Sequence, residues 1–264
     1  MMSIITSNLS KVLTLLVFSI ILQNLGFAQD DRLDEIPFEE EEIVDNRSKP
    51  YGAVAGGFIY NFLFMNFDDL NAKMSEIGLS ELSGPLQVYG GQGFTVLPWI
   101  PNVRFGVMGA GGSTLTDKTI DVNTGITSQA EYSVTYTGLA IDYGWVVTDG
   151  LAVLGGATFG FGSQELAIYN GTDITWGQII EPQPLINQGI QKLEQGLILI
   201  QPQLSIEWAF TDLFMLRANA SYNLNLSTDD NWEYNNVSTI TDMPEINPNG
   251  FNVQLGLFVG LFNY

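Results

Sequence analysis

The sequence predicts an all-β fold, an antiparallel up-and-down barrel of about eight strands whose wall crosses a membrane. Three observations carry that prediction. In residues 251–264, Val253, Leu255, Leu257, Val259 and Leu261 alternate with Gln254, Gly256, Phe258, Gly260, Phe262 and Tyr264. Successive strand side chains point to opposite faces, so one face of this strand is wholly apolar. Long polar connections and tight turns alternate along the chain, which is the loop asymmetry of a membrane barrel. Charged residues make up only 14% of the 264, against about 25% in an ordinary soluble domain, while 28 glycines and 12% aromatics suit closely packed strands.

The first segment reads as a secretion signal over residues 1–28. Lys11 precedes an apolar run at 12–22, and Gly26, Phe27 and Ala28 meet Gln29. The run is too short to span a bilayer as a helix, and small residues mark a cleavage site; an uncleaved anchor is the alternative. Residues 29–50 form an acidic segment, with Asp30, Asp31, Asp34, Glu35, Glu39, Glu40, Glu41, Glu42 and Asp45 among few apolar residues. Like charges repel and little can be buried, so a solvated, flexible tether is expected. No ligand spacing supports a calcium site there.

The barrel is expected over residues 51–264. Residues 51–65 are extended, Gly-rich and aromatic. Segments 86–97 and 102–116 flank Pro98, Trp99, Ile100 and Pro101; segments 130–147 and 151–169 flank Thr148, Asp149 and Gly150; segments 190–210 and 213–226 flank Thr211 and Asp212. Asp-Gly is a strong hairpin signal. The connections at 66–85, 117–129, 170–189 and 227–250 are long and polar. Residues 172–180 and 190–196 could pair as an additional hairpin. Pro202 runs against a mid-strand position because it donates no ladder hydrogen bond. In the first long connection Phe67, Leu70, Met74 and Ile77 recur at helical spacing, with Asn66 as N-cap and Asp69 in the first turn, so a short amphipathic helix is expected on the barrel rim, over its mouth or against a partner.

Two further strands show the same division of faces. Phe214, Leu216, Ala218, Ala220, Tyr222, Leu224 and Leu226 oppose Arg217, Asn219, Ser221, Asn223 and Asn225; Ile198, Ile200, Leu204, Ile206 and Trp208 oppose Gln201, Gln203, Ser205 and Glu207. Lipid outside and a polar lumen inside account for both, and a soluble barrel turned the other way is the competing arrangement. Trp99, Tyr143, Trp145 and Trp208 fall near the short-turn ends, where an aromatic girdle belongs. Arg104, Asp142, Glu207 and Arg217 share the lumen parity. Glu207 and Arg217 flank one tight turn and are expected to face each other. Charges in a narrow barrel pair because an isolated one is costly to desolvate; the cluster reads as a salt-bridged plug or as an ion-selective constriction.

With these strands in place, residues 51–264 resemble a small bacterial outer-membrane β-barrel of the outer-membrane protein A and X kind. That resemblance implies bacterial outer-membrane residence, with the N- and C-termini periplasmic and the long loops extracellular. It implies contact with outer-membrane lipid, insertion by the barrel-assembly machinery, and a monomer. It also implies a C-terminal insertion signal at Phe262 and Tyr264, the antepenultimate and last positions. The glycine that the pattern places five residues before the last is Val259 here, with Gly260 one place off.

The absent residue types narrow the chemistry. With no His and no Cys, neither a Ser-His nor a Cys-His nucleophile can be assembled, and thiolate or imidazole metal sites are excluded. No carboxylate pair is singled out for glycoside hydrolysis. Gly90, Gly91 and Gly93, and Gly109, Gly111 and Gly112, lack the Lys-Ser/Thr pair of a phosphate loop and read as relief of crowding in a narrow barrel. Nine Lys and Arg against 29 Asp and Glu, a formal charge of −20, argue against nucleic acid. No catalytic, cofactor-binding or metal-binding residue is therefore expected. The expected role is non-enzymatic: a structural envelope component or a surface interaction module with a largely filled lumen. A small-solute channel and a secreted soluble barrel binding an apolar ligand are the alternatives.

Overall fold

The structure, a computed structural model, describes residues 50–174, 189–227, 232–240, 246 and 248–264. The expected secretion signal and, except for Pro50, the acidic segment lie outside the described residues. The strands are β1 (Gly52–Met65), β2 (Leu86–Val96), β3 (Val103–Leu115), β4 (Thr119–Ile120), β5 (Thr127–Thr148), β6 (Leu151–Gly171), β7 (Gly189–Ala209), β8 (Phe214–Asn225), β9 (Glu233–Tyr234), β10 (Ser238–Thr239) and β11 (Gly250–Asn263); the helix α1 is Asp68–Glu76.

Eight of these strands close into a ring in the order β1-β2-β3-β5-β6-β7-β8-β11, every neighbour antiparallel. Closure is made by β1 on β11, from Gly52↔Asn263 to Met65↔Gly250. The two-residue strands are accessories: β4 pairs with β5, β9 with β7 and β10 with β9. The segment considered for an extra hairpin, 190–196, is instead the first part of β7, pairing with β6 from Tyr169↔Ile190 to Ser163↔Gly196. Residues 175–180 lie outside the described residues.

Face alternation follows the sequence. In β8, Met215, Arg217, Asn219, Ser221 and Asn223 are buried and Phe214, Leu216, Ala218, Ala220, Tyr222 and Leu224 are exposed. In β11, Leu255, Leu257, Val259 and Leu261 are exposed while Gln254, Phe258 and Phe262 are buried, as is Tyr264 just past its end. Apolar residues therefore cover the outside, and polar residues line much of the lumen. A soluble barrel with an apolar cavity would show the reverse.

Strands β5, β6 and β7 have 22, 21 and 21 residues, about twice the 9–11 that cross the hydrocarbon of a membrane. Their outward residues mark where the apolar belt stops. Phe161 and Ile198 pair on its last apolar row; beyond them come Ser163 opposite Gly196 and then Glu165 opposite Glu194. Pro202 sits on the exposed face, and the β7–β8 ladder skips it: Ile200↔Leu224 is followed by Gln203↔Ser221. On its other side Pro202 keeps its place opposite Ala157 in β6. The proline is accommodated by a local break on one side only.

The glycines answer to crowding. A Cβ on Gly90 would overlap the Gly109 carbonyl oxygen, and one on Gly112 would overlap the Gln87 carbonyl oxygen. Side chains at either place would push neighbouring strands apart.

Candidate functional site

Arg104, Asp142, Glu207 and Arg217 come from β3, β5, β7 and β8, near the strand ends that the short turns join. Ladder register sets two of the pairs directly: Arg104↔Asp142 and Glu207↔Arg217 are opposite each other on neighbouring strands. Side-chain reach across the narrow lumen makes the third contact. Arg104 donates from Nε and Nη2 to Asp142 Oδ2 at 3.1 and 2.6 Å, and from Nη1 to Glu207 Oε1. Arg217 Nε donates to the same Glu207 Oε1 at 2.7 Å. All four residues are at most 3% exposed.

The cluster is neutral as a whole, two guanidinium groups against two carboxylates, and neutral partners take up several of its remaining valences; Arg217 Nη2 lies 2.6 Å from Glu207 Oε1 as an ion pair and makes no hydrogen bond. Gln203 Nε2 donates to Asp142 Oδ1 at 2.6 Å, and Arg217 Nη1 donates to Gln92 Oε1 at 2.7 Å. Tyr51 Oη donates to Glu207 Oε2 at 2.8 Å and accepts from Arg104 Nη1 at 3.2 Å. The Phe94 ring lies under both guanidinium groups, 4.3 Å from Arg104 Cζ and 4.6 Å from Arg217 Cζ, and Phe258 lies 4.2 Å from Arg217 Cζ. Buried ions are tolerated where each has a close counter-ion and its other donors are satisfied, and cation–π contacts add to that. Every strand of the ring except β1 and β6 contributes to this knot, β2 through Gln92 and Phe94 and β11 through Phe258, and Tyr51 joins it from just ahead of β1.

The other end of the lumen is closed by apolar side chains. Phe67, Leu70 and Met74 of the first connection are buried in one cluster with Tyr132, Leu166 and Trp232, and Phe67 meets Tyr132 edge-on at 5.4 Å. The expected helix thus exists and packs on its own barrel. Two details differ from the expectation. Ile77 is 64% exposed, because the helix ends at Glu76 and Ile77 lies past its last turn. Phe67, not Asn66, holds the N-cap position; Asn66 Oδ1 instead accepts from the Asp68 N–H at 2.7 Å. Below this lid, Tyr132 Oη donates to Gln164 Oε1 and Gln164 Nε2 donates to Gln195 Oε1, both at 2.6 Å.

The aromatic residues expected at the girdle lie at the turn-side end, and all four are exposed: Trp99 in its turn, Tyr143 and Trp145 on β5, Trp208 on β7. Tyr143 and Trp145 touch at 4.9 Å between ring centroids. Phe262 and Tyr264, expected as the insertion signal, point to the lumen side and are buried. Tyr264 stacks on Tyr51 with centroids 4.9 Å apart, and its carbonyl accepts from the Gly150 N–H at 2.8 Å.

The sequence placed Gln203 and Phe258 on lumen-side faces without joining them to the charges, and it did not single out Tyr51, Gln92 or Phe94. The two glutamines and two phenylalanines carry the lumen parity, which is a usable signal. Tyr51 shares the parity of the buried Ala53, Ile59, Asn61 and Leu63, but it stands one residue ahead of β1. Among the described residues, no group of three His, Cys, Asp or Glu is placed to hold a metal ion. Also among them, no helix is long and apolar enough to cross a membrane, which says nothing of strands.

An eight-stranded antiparallel ring, apolar outside and with a charged polar lumen, is the architecture of a membrane-spanning β-barrel. No protein-family model matches the sequence, and no curated protein matches it. Among solved structures the chain is similar to the N-terminal β-barrel domain of OprF from Pseudomonas aeruginosa, with 12% identity, a TM-score of 0.36, and coverage of 81% of this chain and 100% of that one. It is similar to a major outer membrane protein from Thermus thermophilus, with 9% identity, a TM-score of 0.38, and coverage of 80% and 99%. It is similar also to Ail, the attachment invasion locus protein of Yersinia pestis, with 10% identity, a TM-score of 0.31, and coverage of 81% and 99%. Likenesses this weak decide nothing about what the chain does; the barrel is defined by its own strand register.

Proposed function

We propose that this protein is a non-enzymatic integral barrel of a bacterial outer membrane with a closed lumen, serving as a structural envelope component or as a scaffold that presents its loops. The supporting observation is the neutral knot of Arg104, Asp142, Glu207 and Arg217, buried and hydrogen-bonded across the lumen. At eight strands a barrel interior is nearly filled by side chains, and an apolar lid at the opposite mouth adds a second closure.

On this reading the short turns and both chain ends face the periplasm and the long loops face outward, as in barrels of this build. Trp99, Tyr143, Trp145 and Trp208 form the inner-leaflet girdle. Phe262 and Tyr264 are read by the barrel-assembly machinery before folding hides them. The protein works as a monomer surrounded by outer-membrane lipid. Purified protein in a planar bilayer is expected to give no channel events; a clear ion-conducting pore from the unmodified protein would overturn the closed-lumen reading. Carbonate-washed membranes are expected to retain the protein, and its release would overturn membrane integration.

A further inference from the structure

The charged knot has one member whose backbone stands outside the barrel ladder. Arg104, Asp142, Glu207 and Arg217 are each paired in the ring, so displacing any of them means disturbing strand pairs. Tyr51 precedes the first pair of β1, Gly52↔Asn263. Its N–H is held by a single side chain, donating to Asn102 Oδ1 at 2.8 Å. Its ring lies against Tyr264 on one side and over Gly144 on another, where an added Cβ would stand 2.8 Å from Tyr51 Cγ. Its hydroxyl reaches Glu207 and Arg104.

We infer that Tyr51 is a removable stopper for the turn-side mouth: its ring can swing away while the strands keep their pairs, opening a path from that side past Glu207 and Arg104 for small solutes. This rests on the closed-lumen reading above. The movement breaks one backbone hydrogen bond to Asn102, the hydroxyl bonds and a ring stack, and it breaks no ladder bond.

The chain contains no cysteine, so Ser205→Cys supplies a single thiol. Ser205 is 2% exposed and lies two residues from Glu207 on β7, on the side away from the turn-side mouth. The probe is a small cationic methanethiosulfonate, and each variant is first checked for folding by heat-modifiable gel migration. Ser205→Cys alone is expected to react slowly. Adding Tyr51→Ala is expected to raise the rate at least about tenfold, and adding Tyr51→Phe, which keeps the ring, to leave it slow. Asn102→Gly removes the tether at a residue with φ +64°, a conformation glycine adopts freely, and is expected to give an intermediate rate. An unchanged rate with Tyr51→Ala, or with Asn102→Gly should the alanine variant not fold, overturns the inference. Fast reaction of Ser205→Cys by itself overturns the closed-lumen reading instead.

Discussion

Glu207 and Arg217 stand directly opposite each other on β7 and β8, and Arg217 Nε donates to Glu207 Oε1 at 2.7 Å. The same carboxylate oxygen also receives Arg104, so one acid holds two guanidinium groups. That sharing makes the four charges unequal.

Glu207→Gln is expected to be the most damaging single change in the knot. It leaves two buried guanidinium groups facing one carboxylate. Breaking a buried pair costs about 3–5 kcal/mol. Arg217→Met should cost less, because Glu207 keeps Arg104 and the Met side chain fills most of the space. Urea unfolding from lipid vesicles ranks the two, and equal losses would show that the shared oxygen has no special weight.

Leu255→Arg places a cation on the exposed face of β11 within the apolar belt. At the bilayer midplane such a change costs about 2–4 kcal/mol. Val122→Arg, in the 117–129 connection, lies beyond the belt and should cost nothing measurable. The same vesicle assay distinguishes them. If both substitutions prove neutral, lipid is not the solvent of this face.

Gly90→Ala should reduce the folded fraction sharply, because the new methyl overlaps the Gly109 carbonyl oxygen. Gly91→Ala should be tolerated, since its Cβ would sit 3.6 Å from the Gly57 carbonyl oxygen, an ordinary contact. Heat-modifiable gel migration reads the folded fraction of each. Equal behaviour would show that the crowding is relieved by strand movement.

Leu70→Asp and Met74→Asp each bury a carboxylate in the lid cluster, whereas Ile77→Asp places one in water. The first two are expected to loosen the first long connection and expose it to limited proteolysis. Ile77→Asp should leave the digestion pattern unchanged. Protection of all three would mean that the lid does not depend on the helix.

Period-two patterning is the reason so much of the barrel was legible in advance. Strands β8 and β11 wear their two faces openly, and a tight turn such as Asp149-Gly150, with Gly150 at φ +73°, announces where a hairpin reverses. The helix was legible in the same manner through Phe67, Leu70 and Met74, but its end was not, because Ile77 continues the spacing after the backbone has left the helix. The two-residue strands β4, β9 and β10 are too short to carry any alternation.

Alternation along single strands was enough to divide each into an apolar and a polar face, and the folded ring put the apolar face outside. The sequence by itself also named the four charged residues of the knot, because lumen parity and charge are properties of single positions. Only the tertiary structure decided that Arg104 reaches Glu207 across the lumen, that Gln92, Gln203 and Phe94 complete the knot, and that Tyr51 enters it from outside the ladder. Apart from Phe94 under Arg104, which joins the adjacent β2 and β3, those contacts join strands that are not neighbours. They depend on the closure of the ring and on its width, and no local pattern in a chain encodes either.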